Sequence, residues 1–155
     1  ALGKNPFEKS ESPIASSIAS SASQYSNPNF SGEVEFDYAN NNGCYMIGSG
    51  SMQFELAFSG ASNGSIHILN DPANIEGIAL AYDATSFSEI KDASKFDYTS
   101  RSRTPDTGEI VTLVNQNGFF AAIKLGEIKA RSHGAKRSSV SFKYVINQEK
   151  ETSFV

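Results

Sequence analysis

Gly108-Glu-Ile-Val-Thr-Leu-Val-Asn-Gln-Asn-Gly-Phe-Phe-Ala-Ala-Ile-Lys-Leu-Gly-Glu-Ile-Lys129 and, after a polar basic loop, Val140-Ser-Phe-Lys-Tyr-Val-Ile146 are the runs that decide the fold class. Both are rich in β-branched and aromatic residues, which suit a pleated, half-buried surface. Asn117-Gly118 divides the first run in two, and Asn-Gly between apolar runs is a strong local hairpin signal. The two halves and the run after the loop therefore predict an antiparallel meander.

The same alternation recurs upstream. In 32–38, Val34, Phe36 and Tyr38 share one face, and Glu33, Glu35 and Asp37 share the other. An Asn-rich turn at 39–43 leads to a short strand at 44–47 and a Gly-Ser-Gly turn. The run 51–58 alternates again, with Met52, Phe54, Leu56 and Phe58 inward. Residues 65–69 form a further strand, Asp71-Pro72 breaks the chain, and 75–82 is apolar on both faces. The expected inward set is Val34, Phe36, Tyr38, Phe54, Leu56, Phe58, Ile66, Ile68, Ile110, Thr112, Val114, Phe120, Ile123, Val140, Phe142, Tyr144 and Ile146. A slip of one residue would exchange the faces. About eight or nine short strands with frequent turns predict an all-β fold, an antiparallel β-sandwich or a closed barrel. One short helix is expected at 86–95, capped by Ser86 or Ser88, with Phe87, Ile90 and Ala93 spaced by three. Residues 97–103 read as a polar strand or edge.

A length of 155 residues allows one domain and a core that needs no staple. That domain is expected at 30–148. Residues 1–29 differ: eight serines fall between Ser10 and Ser26, among Pro6, Pro13 and Pro28. This composition predicts a weakly ordered Ser-rich arm or linker, with at most a short helix starting at Ser12-Pro13. Residues 149–155 are expected to be a frayed polar tail.

The chemistry is less legible. The single cysteine, Cys44, excludes an internal disulfide and reads as a small buried hydrophobe. No apolar stretch reaches the roughly 18 residues of a membrane span. No signal peptide is visible, although a removed one would leave no trace, and a cytoplasmic setting is expected. His67 and His133, with one Cys, lack metal-ligand spacing, so neither metal nor cofactor is expected. Asp106-Thr107-Gly108 is the tripeptide of aspartic proteases, but it occurs once and follows Arg103-Thr104-Pro105 rather than an apolar strand; a turn explains it better. There is no Gly-x-Ser-x-Gly elbow, and a Cys-His nucleophile would need Cys44 exposed beside a histidine.

The net charge of −4 is unevenly spread: residues 1–96 carry 4 basic and 11 acidic side chains, and 97–155 carry 9 and 6. Arg101, Arg103, Arg131, His133, Lys136 and Arg137 form the candidate ligand site. If the 131–137 loop folds back on the 97–103 strand, their cations would converge on an anion, with Tyr98, Phe119 and Phe120 as a stacking surface. The competing reading is a solvated loop beside a charge-protected edge. A pI near 5.2 argues against a dedicated nucleic-acid binder.

The expected function is a non-enzymatic recognition or accessory module that binds a protein partner or a small ligand. Nucleic acid is allowed as a partner but not favoured, and no membrane is involved. The alternatives are binding of a nucleotide or single-stranded nucleic acid through the basic cluster, a hydrolase with a loop-built site, and an assembly protein pairing edges such as 97–103.

Overall fold

The computed structural model describes residues 25–155. Among these residues, ten strands form two sheets of five. The first sheet contains β1 (Ser26–Asn27), β3 (Cys44–Ile47), β4 (Phe54–Ser62), β5 (Ser65–Leu69) and β7 (Ser102–Arg103), in the order β1-β3-β4-β5-β7. The second contains β2 (Ser31–Phe36), β6 (Ile75–Leu80), β8 (Ile110–Asn115), β9 (Phe120–Lys129) and β10 (Ser139–Ile146), in the order β2-β10-β9-β8-β6. All pairings are antiparallel except β1 with β3. The fold is a β-sandwich. The expected Ser12 helix lies outside the described residues, and the ordered domain already includes Tyr25, within the expected arm.

The alternating residues of both sheets meet in one core. Tyr45, Ile47, Phe54, Leu56, Phe58, Ile66 and Ile68 face Val34, Phe36, Val111, Leu113, Ile123, Leu125, Val140, Phe142, Tyr144 and Ile146. Phe142 lies at the centre, with ring centroids 5.7 Å from Phe58 and 6.0 Å from Tyr45. Asn115 ties the sheets together from inside. Its Nδ2 donates to the Ser51 and Gln53 carbonyls of the first sheet's approach, and its Oδ1 accepts from Asn117 and Phe119 N–H in the β8–β9 turn. The Asn-Gly turn is thus stabilised by a buried residue two positions before it.

The phase expected for β8 is corrected. Val111 and Leu113 face the main core, while Ile110 and Thr112 point to the opposite side, as do Val114 and Phe120 across the register Val114↔Phe120. The reason is a second core. Ala81, Ala84, Ile90, Ala93, Ile110 and Ala122, with Phe87, Phe96, Phe120, Val145 and Phe154 partly buried around them, cover the outer face of the second sheet over β6, β8 and the start of β9, while Glu33, Glu35 and Lys143 on the β2–β10 side stay exposed. A strand covered on both sides has no polar phase to read.

That covering layer corrects two further expectations. The 86–95 helix is instead two 3-10 turns, Phe87–Glu89 and Ala93–Lys95; the spacing of three belongs to that tighter turn. The tail is not frayed: Ala93 N–H donates to the Thr152 carbonyl and Phe154 N–H to the Ile90 carbonyl. Only Ser102–Arg103 of the expected 97–103 strand pairs as strand, with β5.

Candidate functional site

The two outer faces are unlike. On the first sheet, period-two burial turns Cys44, Met46, Glu55, Ala57, Ser59, His67 and Leu69 outward. No chain among the described residues lies over their centre. A depression of about 670 Å³ opens there, within the roughly 300–1,000 Å³ range of ligand pockets. Ala57 forms its floor and is only 7% exposed despite facing outward.

One wall is the Asn-rich turn. Asn41, Asn42 and Gly43 are consecutive left-handed residues (φ 52°, 56° and 77°). Asn tolerates that region, and at 43 a Cβ would collide with the Phe58 carbonyl, so only glycine lets the turn lie flush on β4. Asn41 Nδ2 donates to the Cys44 carbonyl at 2.9 Å and fixes the turn to β3. The opposite wall is Leu69, Asp71 and Pro72. Arg101 grips Asp71 with two parallel bonds, Nε to Oδ1 at 2.9 Å and Nη2 to Oδ2 at 2.8 Å. That guanidinium holds the Asp71 carboxyl below its ordinary range, and the carboxylate raises Arg101 in turn.

Cys44 and Glu55 also line the depression. Burial pushes the Cys44 thiol up, and the neighbouring Glu55 carboxylate pushes it further. The thiol contacts the Asn42 carbonyl at 3.7 Å. Its pair across the sheet is Ala57, while His67 pairs with Ser59 and bonds Thr104 Oγ1 at 2.8 Å. Cys44 is thus a protonated thiol with no histidine beside it, the opposite of an activated nucleophile. Among the described residues no group of His, Cys, Asp and Glu has metal-site geometry.

The six basic candidates fall into two places. Arg101, 76% exposed, sits beside Asn70 at one end of β5, and its carbonyl accepts the Asn70 N–H. Arg103 is inward in phase, opposite Ile68, and 14% exposed; its Nη2 donates to the Asp97 carbonyl and lies 3.4 Å from the Asp97 carboxylate, while its Nε is buried without a partner. The 131–137 loop docks at the other end of β5. Asn63 holds it, donating from Nδ2 to the His133 carbonyl and accepting from Ala130 N–H. Arg131, His133, Lys136 and Arg137 are exposed there; His133 Nδ1 meets Ser132 Oγ, and Arg137 pairs with Glu35 at 2.7 Å. The loop does not fold back on 97–103, and β5 lies between the two groups. Tyr98 and Phe120 are no stacking surface, since they pack on each other at 6.2 Å in the covering layer.

Asp106-Thr107-Gly108 is a turn: Thr107 N–H donates to the Gly64 carbonyl, Gly108 N–H to the Leu125 carbonyl, and Asp106 is exposed. The residues that build the depression went unread in the sequence as a group. Asn41-Asn42-Gly43 was a legible signal for its wall, but the pairing of β3, β4 and β5 that gathers the rest was not. Comparison with known proteins finds no matching family model, no matching curated relative and no matching solved structure. No helix among the described residues is long and apolar enough to cross a membrane.

Proposed function

We propose that this chain is a non-enzymatic recognition module, and that the outer face of its first sheet seats a protein partner or a small ligand. One observation carries the reading: residues 81–98 and the last residues cover β6, β8 and the start of β9 on one outer face, while the outer face of β3, β4 and β5 keeps a walled depression of about 670 Å³. The lining mixes apolar carbon (Ala57, Phe58, Leu69, Pro72) with a few polar groups at fixed positions, the usual make-up of a binding pocket. The free thiol of Cys44 fits a reducing, cytoplasmic setting.

The test is a fragment library screened against the 15N-labelled chain by NMR. Shifts should gather on the amides of Gly43, Cys44, Glu55, Ala57 and Leu69, and Ala57→Arg, which fills the floor, should remove them while the spectrum stays folded. Shifts confined to the 131–137 loop, or none in any mixture, would contradict the proposal.

The second reading, anion binding, rests on the exposed cations Arg131, Lys136 and Arg137, which share one loop and, among the described residues, meet one carboxylate, Glu35. Oligonucleotide binding that falls steeply with added salt would favour it.

A further inference from the structure

A two-sheet sandwich has four edge strands, and exposed edges invite pairing with another chain. Three of the four are closed here. β1 and β7 are two residues long. β6 is broken by a bulge between Ile75 and Gly77, and Tyr98 lies over Gly77 on the outer face, where a Cβ would meet its side chain at 2.9 Å. β2 is different. It has six residues, pairs with β10 on one side, and takes no backbone bond from the described residues on the other.

The ladder shows which groups are free. Ile146 N–H donates to the Phe30 carbonyl, so the even-numbered residues of this stretch bond toward β10. By alternation, the N–H and C=O groups of Ser31, Glu33 and Glu35 point away from the sheet. No proline or bulge interrupts them.

Charge selects the occupant. Glu33 and Glu35 project from the outer face, followed by Asp37. Across the sheet, Glu33 lies opposite Lys143, which lies opposite Lys124. Glu35 is held by Arg137 at 2.7 Å, so a strand added beyond β2 continues this row and meets Glu33 first. A second copy of β2 laid antiparallel would bring Glu33 and Glu35 of each chain together, and like charges across a pair of strands repel. On the inner side, Val34 and Phe36 are buried, and the half-buried Tyr25 ring packs edge-on to Phe36 at 5.9 Å and forms the rim of the core beside this edge.

We infer that β2 is a docking edge for strand addition by a partner segment that alternates basic and apolar residues. Main-chain bonds to Ser31, Glu33 and Glu35 hold the segment, its basic residues meet Glu33 and compete with Arg137 for Glu35, and its apolar residues lie against the Tyr25 rim. This surface is separate from the depression on the first sheet, and its test reads different amides.

The probe is a fluorescein-labelled seven-residue peptide of alternating Lys and Val, with a Glu-Val peptide and a scrambled Lys-Val peptide as controls, titrated into the full chain. The Lys-Val peptide should bind at least tenfold tighter than either control and slow amide exchange at Ser31, Glu33 and Glu35. Glu33→Pro removes an N–H that the fold does not use, so it should weaken binding at least tenfold with little change in melting. The pair Glu33→Lys and Glu35→Lys should reverse the preference toward the Glu-Val peptide, and it serves where the proline variant does not fold. Equal binding of the scrambled peptide, unchanged exchange at the three amides, or a β2-dependent homodimer in sedimentation would overturn the inference.

Discussion

The two sheets of this sandwich are built from similar residues but carry different loads. The second sheet is buried on both faces across β6, β8 and the start of β9, between the main core and the layer formed by residues 81–98 and 152–154, and its β2–β10 half is open to water on the outer face. The first is buried on one face only. Where chain covers a sheet, side chains serve stability on both sides. Where nothing covers it, the outward residues are left to make contacts with something else.

Substitutions sharpen this contrast, beginning with the shared core. Phe142→Ala, at the crossing of both sheets, should cost about 3–5 kcal/mol in chemical denaturation. The matching change in the covering layer, Ile90→Ala, should cost about 2–4 kcal/mol. A cost below about 0.5 kcal/mol would show that the layer is loosely held and would erase the difference between the faces.

Asn115→Ala removes the clamp between the sheets and leaves the Asn117 and Phe119 N–H groups without their acceptor, so a loss of about 2–4 kcal/mol is expected from the same measurement. Tyr98→Phe deletes a hydroxyl that donates to the Ala93 carbonyl and bonds Thr112 Oγ1, for about 1–2 kcal/mol. Burial pushes the phenols of Tyr98 and Tyr144 up to about 12. An acid whose folded value lies above its unfolded one leaves stability intact at neutral pH. That stability is withdrawn as pH climbs past the unfolded value, near 10. The wild-type chain should therefore lose stability between about pH 10 and 12, and Tyr98→Phe should flatten that slope in pH-dependent melting. The smallest effects belong to the open face: Ser59→Ala and His67→Ala should shift stability by less than about 0.5 kcal/mol.

The legibility of the chain follows the same division. β2, β4, β5 and β10 were readable because water on one side forces a polar phase: Glu33 and Glu35 against Val34 and Phe36, His67 against Ile66 and Ile68. β8 was misphased because Ile110, Val111, Thr112 and Leu113 are all buried, and alternation carries no signal there. The tail read as frayed because Phe154 is a lone aromatic among polar residues, and only tertiary packing supplies its partner. The arginines were readable as charge, but their partners Asp71, Asp97 and Glu35 stand 30, 6 and 102 positions away. No local pattern predicts such pairs. The depression escaped for the same reason, since its lining comes from three strands and two turns.

Paramagnetic attenuation of side-chain methyl signals by a soluble gadolinium chelate tests the contrast most directly. Met46 and Leu69 on the first sheet should be strongly attenuated, while Ile90, Ile110 and Ala122 beneath the covering layer stay protected. Equal protection of both groups, or attenuation at Ile110 and Ala122, would contradict the account of a covered β6–β8–β9 region and an open face on the first sheet.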